Sequence, residues 1–297
     1  MIKGSKKVKV EPKTKAAGIV DIPLKPEKGI NNIPEKFTIV NHKNQRERGV
    51  NEPLRVIAVI PARSGSKGII DKNIKHVGGR ILIDHSIRQA RLAGLDLIIS
   101  TDSVQYKDKI DAMYPKDNYC PFLRPPNLAS DSATSASVII HALEYLESVN
   151  RYYDIIVLLE PTNPVREVKD ITQPLAYFKR QTKYDSLVSF VVPPEHHPML
   201  AMECKPIDHE DGFYELKPHS AINRTGEGSV GHPRRQSLSD ACYMNGNLYI
   251  SWVDKFKKNK MFDTNPCIGW RQPKFKSVEV DELDDIVIVD QFIKRVI

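Results

Sequence analysis

RVIAVIPA, residues 55–62, is a continuous apolar run closing on Pro61, and a polar, basic turn, RSGSKG (63–68), follows at once. Apolar residues at consecutive positions suit a strand buried on both faces, as in a parallel sheet covered by helices. Outward from it, Ile83, Ile87 and Ala90 fall on one side of a helix spanning 81–93, and LDLIIST (95–101) reads as the next buried strand. Val138, Ile139, Ala142, Leu143 and Leu146 space a helix over 132–148, with Asp131 or Ser132 as its N-cap. DIIVLLEP (154–161) and DSLVSFVVP (185–193) are two more strands, and a helix lies between them at about 169–181. Strand and helix in alternation predict an α/β fold with a mostly parallel sheet flanked by helices. Such sheets bind ligands at the carboxyl ends of their strands.

After Pro193 the periodicity weakens. Residues 194–242 are rich in His, Pro, Gly and charge, and read as an excursion from the main sheet. NLYISW (247–252) returns as a strand, SVEVD (277–281) reads as a short one, and a terminal helix runs from about Asp284 to Val296.

The chain has 297 residues and a net charge of +7. Residues 1–53 carry twelve Lys or Arg against six Asp or Glu, so nearly all of that excess sits in a leading tail. The tail, KGSKKVKVEPKTK and beyond, has no aromatics interleaved for base stacking. It reads as a solvated leader, with nuclear localisation or polyanion docking as its functional alternatives. The domain proper is then 54–297. No apolar run approaches the ~20 residues of a membrane span, and the N-terminus lacks the apolar centre of a secretory signal. Cys120, Cys204, Cys242 and Cys267 form no CxxC pair, against both a zinc site and a disulfide framework. The expectation is a cytoplasmic protein, or a nuclear one if the tail is an address, that binds neither nucleic acid nor membrane.

Small residues in the turn let backbone N–H groups approach a phosphate, while Arg63, Lys67 and Lys72 supply positive charge. The turn is neither a Walker A loop nor GxGxxG. Glu279 and Asp281, at i and i+2 on the SVEVD strand, would project to one face. Two such carboxylates suit a divalent cation; an exposed acidic strand end is the plainer reading.

ARSGSKGIIDKN (62–73) resembles the ARxxSKxxxxKN signature of the acylneuraminate cytidylyltransferases, the enzymes that make CMP-sialic acid. The resemblance continues in order through LRPPNLASD (123–131; LRPxxLAxD), LEPTNPVR (159–166; LQPTSPLR), EHHP (195–198), Arg235-Gln236 (RRQ) and NGNLY (245–249; NGAIY), and covers nearly all of 55–290. It implies a Rossmann-like nucleotidyltransferase fold, usually a homodimer formed by a protruding subdomain, here at about 194–242. It implies in-line attack by the anomeric hydroxyl of a sialic-acid-type nonulosonic acid on the α-phosphate of CTP, with release of pyrophosphate. Mg2+ (or Mn2+) is the implied cofactor, with Asp281 matching the metal-binding position of the family's IDID block. Glu279 replaces that block's first Asp by a longer residue and binds directly or through water.

For the nucleotide, the resemblance points to Ala62, Arg63, Lys67, Asn73, Arg124 and Ser135; Arg63, Lys67 and Asp281 would carry catalysis. Arg124 reads alternatively as a structural ion pair, and Ser135 as a helix cap. Arg235 would hold the sugar carboxylate across the dimer interface through its planar fork, and Asn245 and Tyr249 would line the sugar pocket. Glu160 stands where Gln is commoner, an acceptor in place of a donor–acceptor, which points to legionaminic or pseudaminic acid as alternative substrates. His196 and His197 read as structural or as pocket residues. The EHHP and RRQ blocks argue against 3-deoxy-manno-octulosonate or a hexose phosphate. A catalytically silent nucleotide-binding or scaffold homologue stays open, since fold does not fix function.

Overall fold

The computed structural model of the chain describes residues 52–130, 132–192, 202–206, 214–218 and 241–296. In chain order these form β1 (Val56–Pro61), a hairpin of β2 (His76–Val77) and β3 (Arg80–Ile81), α1 (Leu82–Leu92), β4 (Asp96–Ser100), α2 (Val104–Met113), α3 (Ser135–Ser148) and β5 (Ile155–Leu158). Then come α4 (Lys169–Arg180), β6 (Ser186–Val191), β7 (Met202–Pro206), β8 (Tyr214–Pro218), β9 (Tyr243–Trp252), α5 (Val253–Asn259), β10 (Cys267–Arg271) and α6 (Leu283–Val296).

The apolar run at 55–62 is the centre of a six-stranded sheet. β1 pairs in parallel with β4 on one side and β5 on the other. β5 pairs antiparallel with β9, β9 antiparallel with β6, and β6 parallel with β10. The order is β10-β6-β9-β5-β1-β4, so β9 alone runs against its neighbours. Both faces are covered, and the period of two along β1 divides the core. Val56, Ala58 and Ile60 pack with Ile83 and Ile87 of α1, Ile110 of α2 and Phe178 of α4. Ile57 and Val59 pack with Ile139, Leu143 and Leu146 of α3 and with Phe256 of α5. A smaller cluster joins Ile69, Val77 and Leu82 to Val280, Val289 and Ile293, tying the segment after the basic turn to α6.

The expected mostly parallel sheet flanked by helices is what forms. Three details differ. α3 is capped by Thr134, whose hydroxyl accepts from Ser137 N at 3.2 Å; Ser132 is not the cap, and Asp131 lies outside the described residues. SVEVD is not a strand: a 3₁₀ turn occupies Lys274–Ser277, and 278–282 joins no ladder. Val280 N instead donates to Thr162 O at 2.8 Å, a single bond to a turn. α2 and β10 carried too little apolar periodicity to be picked out. The acidic start of α6 caps it, with Asp285 Oδ2 accepting from Asp281 N and Glu282 N.

Most of 194–242, with Arg235, His196 and His197, lies outside the described residues, as does the tail at 1–51. Within the excursion, β7 and β8 pair antiparallel as a ribbon separate from the main sheet. Among the described residues no helix is long and apolar enough to cross a membrane.

Candidate functional site

Strand ends that share a direction place their following loops together, and the loops after β1 and β5 meet in a cleft of about 630 Å³. Its walls include Arg63, Lys67, Lys72 and Asn73 from the basic turn, Arg124 and Ser135, and Glu160, Glu279 and Asp281. Eight of the twelve predicted site residues are therefore brought to one cavity of ordinary ligand size. Ala62, Asn245 and Tyr249 are not on its walls, and Arg235 is outside the described residues.

The basic turn is fixed by short bonds. Ser64 donates to Asp102 twice, from its backbone N at 2.9 Å and its hydroxyl at 2.8 Å. Asn73, buried, donates from Nδ2 to Arg63 O at 3.0 Å, so its amide braces the turn while its residue lines the cleft. Ala62 is wholly buried, and its N–H is taken by Ser100 O at 2.9 Å. Among the described residues Arg124 forms no salt bridge. Its Nε and Nη2 donate to Ser100 Oγ and O at 3.1 and 2.5 Å, and burial pulls its pKa below the usual arginine range. Ser135 is exposed at the first turn of α3, and because Thr134 caps the helix its hydroxyl is not committed to that duty.

The opposing wall is acidic. Glu160, at the carboxyl end of β5, has its carboxyl pushed up to about 7, by burial first and then by Glu279; Arg166 and Lys72 oppose the rise. Glu279 is raised as well, by burial and by Asp281, with the Asn163 amide and Lys72 pulling the other way. Asp281 is exposed and meets Lys72 Nζ at 2.7 Å. Two glycines let this segment come close. A Cβ on Gly68 would stand 2.3 Å from Asp281 O, and one on Gly246 (φ +66°) 2.2 Å from Glu279 Oε1.

Tyr249 stacks on Phe262 with centroids 5.4 Å apart, and burial, then Glu160 and Glu279, raise its hydroxyl above the usual tyrosine range. It is thus within electrostatic reach of the acidic wall. Asn245 is buried and committed: its Oδ1 accepts from Ser189 Oγ at 2.6 Å and its Nδ2 donates to Ser277 Oγ at 3.0 Å. That network supports the acidic segment from behind.

Sequence reading passed over the residues that hold the walls. Arg166 is buried, and its guanidinium donates to Gln89 Oε1 at 2.9 Å and to the carbonyls of Glu160 and Asn247, joining α1, the end of β5 and β9. Lys276 is 3% exposed and pairs with Glu167 and, at 2.5 Å, with Asp170. A lysine flanked by Phe275 and Ser277 gave no sign of burial.

A basic wall facing an acidic one can hold a polyanion together with a counter-cation. A sequence profile of the family described as Cytidylyltransferase matches residues 57–214. The N-acylneuraminate cytidylyltransferase of Streptococcus agalactiae serotype V is 31% identical over 240 residues, 80% of this chain and 52% of its own. The CMP-N,N'-diacetyllegionaminic acid synthase of Legionella pneumophila is 29% identical over 222 residues, 72% of this chain and 84% of its own. The chain spans about half the length of the streptococcal relatives it matches. In fold, it superposes on CMP:2-keto-3-deoxy-manno-octonic acid synthetase complexed with CTP with a TM-score of 0.55 at 14% identity, covering 82% of this chain and 100% of that one. The matched span runs from β1 through the basic turn to β8 and takes in Glu160, so the cleft's basic wall and β5 rim lie inside it, and the chain belongs to the cytidylyltransferase family.

Proposed function

We propose that this chain transfers CMP from CTP to the anomeric hydroxyl of a sialic-type nonulosonic acid. The observation that carries this reading is a single cleft in which the basic turn after β1 faces Glu160, Glu279 and Asp281. In the reaction an anomeric oxygen–phosphorus bond forms at the α-phosphate, the bond to the β-phosphate bridge breaks, the hydroxyl proton goes to solvent, and pyrophosphate leaves. Arg63 and Lys67 hold the triphosphate and offset charge on the departing pyrophosphate; positioning and electrostatics supply most of the rate in such transfers. Arg124 and Ser135 contact cytosine or ribose, and Asn73 keeps the turn in shape. Glu160 faces the acceptor sugar, Tyr249 and Asn245 support that wall from behind, and Arg235 meets the sugar carboxylate within a homodimer.

A divalent cation fits the acidic wall. Two neighbouring carboxylates, Glu279 and Asp281, repel each other, and Lys72 offsets part of that repulsion. Among the described residues no three His, Cys, Asp or Glu are spaced to encircle a metal. That suits Mg2+, which takes one or two carboxylates and fills its octahedron with phosphate and water. When bound it would neutralise phosphate charge and acidify the attacking hydroxyl. Lys72 would then release Asp281 and turn to the phosphates.

Pyrophosphate release from CTP and Mg2+ with N-acetylneuraminic, legionaminic or pseudaminic acid tests the reading, and a cytoplasmic location belongs to the same proposal. Turnover with one of the three is expected. CTP binding without turnover on any would instead establish the silent, nucleotide-binding homologue. Glu160 and the similarity to the Legionella protein favour a legionaminic-type acid as the second acceptor to try.

A further inference from the structure

Asn163 belongs to the turn after β5 and is 1% exposed. Among the described residues neither its Nδ2 nor its Oδ1 meets a partner with hydrogen-bond geometry. A buried amide left so is costly, a penalty that calls for a purpose. Its surroundings supply one. The turn is clasped to the acidic segment through Val280 N and Thr162 O at 2.8 Å, and Asn163 N donates to Glu160 O at 3.3 Å. The amide lies where a Cβ on Gly246 would be 2.8 Å from Nδ2 and 2.2 Å from Glu279 Oε1. Asn163 and Glu279 therefore share one small space that exists because residue 246 has no side chain. An Nδ2 there can hold one carboxylate oxygen and leave the other to face the cleft.

We propose that Asn163 is a positioning residue: seated against Gly246, its amide orients the Glu279 carboxylate toward a divalent cation in the cleft. The proposal rests on the cation reading above. Groups that orient a metal ligand typically matter by about 10–100-fold in metal affinity or activity. Because Asn163 itself is off the cleft wall, the KM for CTP should stay put while kcat falls.

Mn2+ binding to the full chain without nucleotide, followed by electron paramagnetic resonance, tests this apart from turnover. Asn163→Ser should weaken Mn2+ binding about tenfold, and Glu279→Gln at least as much. The double variant should bind no more weakly than Glu279→Gln alone, since an orienting amide has nothing left to orient. Wild-type affinity in Asn163→Ser, or losses that simply multiply, would overturn the assignment while leaving the cation reading intact. Unchanged affinity in Glu279→Gln would remove both. If Asn163→Ser does not fold, Gly246→Ala replaces it, since its methyl crowds the same carboxylate oxygen; wild-type Mn2+ affinity there would equally refute the seat.

Discussion

The basic turn that leaves β1 takes its shape from nearby bonds, whereas the acidic segment before α6 is held by side chains from distant parts of the chain. Ser66 N reaches Ser64 O at 2.9 Å, Asn73 reaches back ten residues to Arg63 O, and Asp102 accepts both Ser64 donors. On the other wall, Lys276 is locked to Glu167 and Asp170 more than a hundred residues away, and Asn247 Nδ2 donates to Lys276 O at 3.1 Å. Asn245 holds Ser277, and Thr162 holds Val280. A phosphate cradle can be made from one short peptide, because its donors are largely backbone N–H groups. A carboxylate pair must be pushed together against repulsion, and that takes rigid, buried support from elsewhere.

The largest effect should fall on the acidic wall. Asp281→Ala is expected to lower kcat by on the order of 10³, with an unchanged Tm because the side chain is 62% exposed. Pyrophosphate release and thermal melting together check it; retained turnover would strip this wall of its part in the chemistry. Next comes the point where the walls touch. Gly68→Ala puts a methyl 2.3 Å from Asp281 O, so backbone must shift. Displacing reacting groups by about 1 Å can cost about 10²-fold, and kcat/KM for CTP should fall by that order. A variant indistinguishable from wild type would mean that the spacing between the walls does not matter.

The same contrast sets what could be read from sequence. β1, the basic turn and the helix–strand alternation were legible because apolar runs, Gly/Ser turns and helical spacing are local signals. Glu279 and Asp281 were found as a pair, but on a strand that does not exist. Their shared exposure to the cleft comes from Val280 anchoring into the cluster with Val289 and Ile293, a tertiary contact that alternation mimics. Arg166 and Lys276 were invisible as supports: a basic residue in a polar stretch looks solvated until its partners, 77 and 106 residues off, are known. Asn245 kept its place in the recognised block, yet its amide is spent on Ser189 and Ser277.

Glu160 offers a pH test of the acidic wall. Its carboxyl is raised from 4.5 to about 7, by burial first and Glu279 second, against the pull of Arg166 and Lys72. A carboxyl raised in the folded state favours folding while protonated. That contribution is whole below about 4.5 and disappears as pH climbs through about 7. In metal-free buffer, wild type and Glu160→Gln should melt alike near pH 4.5 and diverge toward pH 8, the wild type becoming the less stable. Parallel melting curves across that range would show that burial and Glu279 do not strain Glu160.

The smallest effect should be on the basic turn, where support is redundant. Ser64→Ala deletes the hydroxyl bond to Asp102 at 2.8 Å but keeps the backbone N bond at 2.9 Å, and Asn73 still braces Arg63 O. Losing one hydrogen bond of this kind amounts to about 1 kcal/mol, or about a fivefold change. The change should appear in the KM for CTP, because the turn that loosens is the one facing the triphosphate, and kcat should hold. Asp102, relieved of one donor, also pulls more strongly on the nearby Arg124 guanidinium, so nucleotide contacts and not the acceptor sugar register the loss. A fall in kcat rivalling that of Asp281→Ala would reverse the contrast: the basic turn would then depend on one side chain as strictly as the acidic wall depends on its buried anchors.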